Sequence, residues 1–163
     1  MARAAFSIRP GSPRDAPTIV ALIRELAAYE RLLHEVKITP ADVRRHGYGR
    51  RPYFKTLICR RGGTPVGLAL YFFTYSSFLG KPVLWLEDLL VLPAERGRGA
   101  GKALLKALAG IAVTRGCGRM EWSVLDWNAP AIRFYRRIGA RLDNEWIITR
   151  LKGAPLMQLA RSR

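Results

Sequence analysis

The sequence predicts a mixed α+β fold, because strand-like segments stand on both sides of a helix and adjoin an antiparallel hairpin. Residues 83–92 and 120–125 are apolar enough for strands, and a helical pattern over about 101–115 lies between them. This order makes a βαβ unit. Residues 54–60 and 65–75 are joined by a tight turn with two glycines, which predicts a hairpin. A chain of 163 residues has the length of one domain, so we expect a single domain over 1–163.

The N-terminal part contains one predicted strand and two predicted helices. Residues 6–9 form a short apolar strand that ends at Pro10. Ser12 is followed by a proline and, three positions on, by an acid, which is typical of a helix N-terminus. The segment behind it carries apolar residues at spacings of three and four, so it buries one face of a helix. Thr39-Pro40-Ala41-Asp42 begins a second, shorter helix in the same way, and Gly47 is expected to end it.

The remaining segments complete the predicted order. Residues 76–82 are expected to form a loop, and residues 61–64 the tight turn of the hairpin. Asn128-Ala129-Pro130 has the pattern of a helix start, and Gly139 that of a helix end. Residues 146–151 and 156–159 are apolar enough for two further strands, so we predict that the chain ends in strands.

The composition predicts a folded, basic protein. The apolar fraction of 49% excludes disorder, which requires low hydrophobicity as well as high charge. Lys and Arg number 28 and Asp and Glu 12, so the net charge is +16. A surface this basic should attract a polyanion, either nucleic acid or a phosphate-bearing cofactor. Charge alone does not distinguish these two partners.

The sequence also predicts a cytoplasmic protein without a membrane partner. No stretch approaches the ~20 apolar residues of a membrane span, and the first residues lack the apolar core of a signal peptide. Cys59 and Cys117 fit no metal or redox spacing, and neither is placed as a nucleophile. We therefore expect a reducing compartment and no bound metal ion.

The most informative segment is a glycine-rich loop between a buried strand and a helix N-terminus. Gly97, Gly99 and Gly101 let the backbone approach a ligand closely. The N–H groups and the dipole of the following helix then favour an anion. The sequence predicts a pyrophosphate site here, and the alternative that it leaves open is a flexible basic turn. Its cationic side chains are Arg96, Arg98 and Lys102.

Arg96-Gly97-Arg98-Gly99-Ala100-Gly101 resembles the Arg/Gln-x-x-Gly-x-Gly/Ala signature of the GCN5-related N-acetyltransferases, which bind the pyrophosphate of acetyl-CoA there. Segments 23–30, 71–75, 85–91 and 127–140 resemble the spermidine/spermine (diamine) branch of that family. The resemblance implies a twisted, mostly antiparallel sheet with a βαβ acetyl-CoA-binding core flanked by helices. It also implies a homodimer that transfers acetyl from acetyl-CoA directly to a primary amine of a diamine, polyamine or thialysine/lysine-like acceptor.

The resemblance further implies roles for individual residues. Tyr135 would protonate the departing thiolate, although its spacing alone indicates only an aromatic packed beside its neighbours. Glu87 would bind the acceptor amine and act as its base. Tyr29 and Glu30, at the end of the first helix, would contact the acceptor, where a carboxylate and an aromatic face suit an amine cation.

Acetyl-CoA is implied to lie between the strands that end near Val91 and near Leu125. Backbone groups of residues 89–91 would pair with the pantetheine amides as an added strand does. Asn128 is explained by helix capping alone, and the resemblance adds a contact to the pantetheine arm. The implied cofactor-binding residues are Leu89, Leu90, Val91, Arg96, Gly97, Arg98, Gly99, Ala100, Gly101, Lys102, Asn128, Pro130, Ala131 and Tyr135.

Three alternatives stay open. Asp88, a charge within an apolar strand, is expected to form a salt bridge with an arginine. The acceptor could instead be a protein or peptide amine. The rival functional class is a non-catalytic, basic nucleic-acid-binding module, which the arginines of segments 44–51 and 60–61 would serve, although a solvated basic surface is the favoured explanation of these arginines.

Overall fold

The computed structural model describes residues 5–162. The chain forms two compact units, Met1–Ser123 and Val124–Arg163. Within the described residues, every helix is too short or too polar to span a bilayer.

A five-stranded sheet is the framework of the first unit. Its strands follow one another across the sheet in sequence order. The first four are antiparallel neighbours, whereas the fifth joins the fourth in parallel. This mixed sheet with its helices confirms the predicted fold class. The strands are β1 (Phe6–Pro10), β2 (Lys55–Arg61), β3 (Thr64–Ser76), β4 (Lys81–Val91) and β5 (Arg119–Trp122).

Helices cover both faces of this sheet. Leu68 on β3 belongs to the core cluster that contains Ile19 and Val43 of the first two helices. Its neighbour Gly67 faces the third helix, because a Cβ at Gly67 would lie 3.3 Å from the Leu104 side chain. Adjacent strand residues point to opposite faces, so the first two helices and the third lie on opposite sides of the sheet. These helices are α1 (Ala16–Tyr29), α2 (Pro40–Tyr48) and α3 (Ala100–Thr114).

The second unit contains α4 (Ala129–Arg137) and α5 (Ala154–Arg161). The predicted strands at its end are wrong: residues 146–152 have no regular secondary structure, and residues 156–159 lie in α5. A proline in the first turn and apolar residues at Leu156 and Leu159 fit a helix that begins after Gly153. Short apolar runs do not distinguish strand from helix by themselves, and that ambiguity produced the error.

An ion pair fastens β1 to the start of α1. The Asp15 carboxylate accepts hydrogen bonds from Arg9 at 2.6 and 2.8 Å. It also accepts from the backbone N–H and the hydroxyl of Ser12 at 2.8 and 2.7 Å. These contacts hold the pKa of Asp15 well below its usual range. At the predicted helix start, Ser12 is followed by a short 3-10 turn, Pro13–Asp15, and this turn leads into α1.

We expect Asp15→Ala to lower the free energy of unfolding by about 2 kcal/mol near neutral pH, because it removes a charge-assisted, partly buried pair. Since the folded pKa is depressed, this contribution exists above the ordinary value of 3.8 and is lost as the pH falls. Urea unfolding at neutral and acidic pH measures the difference. Asp42→Ala is the matched control, because Asp42 caps α2 through Thr39 in the same way but forms no ion pair among residues 5–162. Equal losses in the two variants would contradict the assignment.

Candidate active site

Strands β4 and β5 part after a short region of pairing. β5 pairs with β4 only from Val83 to Leu86. β4 continues to Val91 and stays paired with β3 along that length. Among the described strands, the edge of β4 that faces away from β3 is therefore uncovered from Glu87 to Val91. Its backbone N–H and C=O groups can pair with an extended ligand that carries amides.

The glycine-rich loop follows directly. Gly97 and Gly99 have φ values of 71° and 98°, in the left-handed region that side chains disfavour. A Cβ on either residue would meet nothing within 4 Å, so the backbone conformation and not the space demands glycine. Gly99 is the N-cap of α3, so the positive end of the helix dipole lies at this loop. A helix N-terminus in this arrangement is able to bind an anion.

The predicted residues around this loop have different environments. Ala100 is buried and Gly101 is half-buried in the first turn of α3, so only their backbone is suited to a ligand. Arg98 and Lys102 are exposed beside the loop. They are the cations that remain available to a phosphate.

Arg96 contacts the end of α1 and the end of β4. Its guanidinium lies 4.4 Å from the centroid of the Tyr29 ring at the end of α1, a cation–π distance. Its Nε–H donates to the carbonyl oxygen of Val91 at 3.0 Å. The structure thus brings together Tyr29, predicted to contact the acceptor, with Arg96 and Val91, predicted to contact the cofactor.

An ion pair that the sequence analysis missed fixes the turn before the loop. The Arg61 guanidinium donates to the Glu95 carboxylate at 2.6 Å, and both side chains are largely shielded from solvent. The assignment of Arg61 to a solvated basic surface is therefore wrong. The two residues are 34 positions apart, and no local pattern relates them.

Two adjacent acids on β4 have different environments. β3 pairs Leu70 with Asp88 and Tyr71 with Leu86, so Glu87 is the extra residue of a β-bulge. The exposed Glu87 carboxylate accepts a hydrogen bond from Trp85 Nε1 at 2.8 Å. Asp88 instead points toward the interior.

Burial raises the pKa of Asp88 to about 7, and the charges of Glu87 and Glu30 add to the effect. Burial also raises the pKa of Glu30. The expected salt bridge between Asp88 and an arginine is wrong, since no ion pair within residues 5–162 includes Asp88. Its sequence signal was the charge inside an apolar strand, but the sequence did not distinguish an ion pair from an unpaired acid. Three interacting carboxylates can attract an ammonium group, and one that titrates near neutrality can accept its proton.

The other predicted residues lie in the second unit. Asn128 caps α4, because its side-chain oxygen accepts a hydrogen bond from the N–H of Ala131 at 3.3 Å, and Pro130 lies in the first turn. Tyr135 is buried on α4, with its ring centroid 5.5 Å from that of Phe134. Within the described part of the chain, no three His, Cys, Asp or Glu side chains come together in a group that could hold a metal ion.

Comparison with known proteins identifies relatives along almost the whole chain. The profile of the acetyltransferase (GNAT) family matches residues 21–140. A thialysine N-epsilon-acetyltransferase of Mus musculus is 36% identical over 96% of this chain and 98% of its own. A spermidine/spermine N(1)-acetyltransferase-like protein 1 of Homo sapiens is 40% identical over 95% of this chain and 24% of its own.

Solved structures share the fold. An integron cassette protein from the mobile metagenome of V. cholerae superposes with a TM-score of 0.80 at 26% identity, over 96% of this chain and 98% of that one. An aminoglycoside N-acetyltransferase in complex with CoA gives a TM-score of 0.70 at 19% identity, over 92% and 97% of the two chains. At that identity the second likeness concerns the fold alone.

We expect Asp88→Asn to change how stability depends on pH. Because the folded pKa of about 7 exceeds the ordinary 3.8, the native state holds this proton more firmly than the unfolded chain does. The resulting stabilisation is complete below the ordinary value and is lost as the pH rises through 7. The wild type should therefore lose roughly 2–4 kcal/mol more than the variant between acidic and alkaline pH.

Chemical unfolding from pH 5 to pH 8.5 measures this difference. Asp143→Asn, at an exposed position, is the control and should follow the wild type. Parallel curves for wild type and Asp88→Asn would show that Asp88 ionises as an ordinary surface acid.

Proposed function

The chain belongs to the acetyltransferase (GNAT) family and is an N-acetyltransferase, and we propose that it acetylates a primary amine of a small acceptor that carries a second cationic group. Diamines, polyamines and thialysine or lysine are the acceptors of this class. The observation that carries the proposal is the carboxylate set Glu30, Glu87 and Asp88, which forms no ion pair within residues 5–162; Glu87 and Asp88 lie on the uncovered stretch of β4, and the charge of Glu30 acts on Asp88. The names of the thialysine and spermidine/spermine relatives support the same class.

Acetyl-CoA is the proposed acetyl donor, and it supplies a thioester. The residues fit it, because the uncovered edge at Leu89–Val91 offers backbone partners to pantetheine amides. The loop glycines and the α3 N-terminus offer N–H groups to the pyrophosphate, with charge from Arg98 and Lys102. We assign Arg96 mainly to positioning the loop and the end of β4, since its guanidinium contacts the Tyr29 ring and the Val91 carbonyl oxygen. Asn128, Pro130 and Ala131 are proposed to contact the pantetheine arm.

The acceptor arrives as an ammonium ion and must lose a proton before it attacks the thioester carbon. We propose that Asp88 takes this proton, alone or through Glu87, because a carboxylate with a pKa of about 7 holds it near neutral pH. Glu30 and the ring of Tyr29 would hold the second cationic end. Tyr135 would then donate its phenol proton to the departing sulfur. Its resemblance to the family tyrosine supports this role.

We further propose that the acetyltransferase domain extends over residues 1–163 and acts in the cytoplasm as a homodimer. The domain extent follows from the chain length, and the dimer follows from the resemblance to the diamine branch. The length of the match to the thialysine enzyme supports the domain extent.

Tyr135→Phe should lower turnover by about 100-fold and leave acetyl-CoA affinity nearly unchanged, because it removes only a proton donor. The assay is acetyl-CoA-dependent thiol release with putrescine, spermidine, spermine, lysine, thialysine and a basic peptide. Tyr53→Phe, which alters an exposed tyrosine, is the matched control. Unchanged turnover in Tyr135→Phe would remove this residue from the mechanism, and release with the peptide alone would refute a small acceptor.

Gly99→Ala should weaken acetyl-CoA binding, because alanine disfavours the left-handed conformation at the start of α3 by about 1–2 kcal/mol. Gly63→Ala is the matched control: it has a φ of +83°, the same empty surroundings, and a position in the β2–β3 turn. Both variants should lose stability, whereas only Gly99→Ala should raise the Kd measured by calorimetry. An equal Kd in the two variants would place the pyrophosphate elsewhere.

A further inference from the structure

A cavity that is open to solvent lies at the C-terminal end of α3, on the face of the sheet that this helix covers. Its volume is about 380 Å³, near the lower limit of small-molecule sites. The lining residues from α3 come from its C-terminal half, whereas the glycine-rich loop adjoins its N-terminus. No lining residue belongs to the proposed acetyl-CoA or acceptor sets.

The walls of this cavity combine positive charge with aromatic surface. Among residues 5–162, the lining includes the cations Lys55 and Arg115 and no carboxylate. Tyr71 and Phe73 form an aromatic wall, with ring centroids 6.0 Å apart in an edge-to-face arrangement. The Arg115 guanidinium lies 5.7 Å from the Phe73 ring centroid. Burial raises the pKa of the Tyr71 phenol, and the positive charge of Arg115 opposes this rise. The Arg115 charge therefore acts on the Tyr71 side of the cavity.

Gly110 supplies an independent reason to regard the cavity as a site. A glycine inside a helix costs about 1 kcal/mol relative to alanine. Close packing explains the glycine at Gly67 in β3, where a Cβ would lie 2.8 Å from the Leu90 carbonyl oxygen. A Cβ at Gly110 would meet nothing within 4 Å, and its φ is not positive. Neither packing nor backbone conformation requires this exposed glycine, which lines the open side of the cavity.

We propose that this cavity binds a small organic anion with a flat apolar body, of the aromatic carboxylate class. The carboxylate is held by Lys55 and Arg115, and the ring packs against Tyr71 and Phe73. An inorganic anion would leave the aromatic wall unused, and an amine would meet two like charges. The site is separate from the acetyl-transfer site, so this assignment does not rest on the proposed function.

The test is calorimetric titration of the full chain with 2-naphthoate, and with the neutral 2-naphthamide for comparison. We expect saturable binding of naphthoate, weakened about tenfold or more for naphthamide and in Arg115→Gln, because each change removes a charge-assisted contact. Lys106→Gln is the charge control, since Lys106 is an exposed cation on α3 that does not line the cavity.

Gly110→Leu tests the cavity itself, because it fills the space and should abolish binding. Its thermal stability should equal or exceed that of the wild type, since the helix loses a glycine, so loss of folding would be seen directly. Ala109→Leu adds the same side chain at the preceding position of α3, which is exposed. This control variant should bind naphthoate as the wild type does. Absence of naphthoate binding by the wild type, or binding that survives Gly110→Leu, would overturn the proposal. The proposal would also be overturned if Gly110→Leu changed the oligomeric state of the protein but left naphthoate binding unchanged.

Discussion

The site depends on the separation of β4 and β5 after Leu86. Pairing ends where the bulge at Glu87 begins, and a bulge bends its strand and increases the local twist. The bulge leaves half of β4 paired on one side only, with the glycine-rich loop and α3 following directly from its end. The open backbone edge and the two adjacent acids of β4 therefore lie at one irregularity in the sheet.

Local charge and net charge have opposite signs in this protein. The chain carries +16 overall, yet the described residues Glu30, Glu87 and Asp88 form no ion pair with a cation. Several arginines are instead committed to carboxylates that support the fold, as in the pairs of Arg9 and Arg61. Desolvation makes nearby charges count more than distant, screened ones. At the proposed acceptor site, a cation would therefore respond to the three local acids more than to the basic surface.

The sequence predicted those features that local patterns determine. The caps at Thr39 and Asn128, the β2–β3 hairpin and α3 all appear close to their expected positions. The Arg61–Glu95 pair and the burial of Asp88 could not be predicted, because tertiary packing creates both. The terminal helix was missed although Pro155 marks its first turn, because a short apolar run supports either structure. Glycine spacing predicted the glycine-rich loop before α3, but not the contact between Arg96 and Tyr29.

The uncovered edge of β4 carries a risk of aggregation. Unpaired strand edges are templates on which a strand of another molecule can add, so a long apolar edge invites aggregation. Here the uncovered stretch begins with the exposed Glu87 and the inward-pointing Asp88, and a strand added there would further desolvate both acids. Charged residues at such a position protect natural sheets from edge-to-edge association. The same pair of acids can therefore keep the ligand-free protein monodisperse at the place where its sheet is least complete.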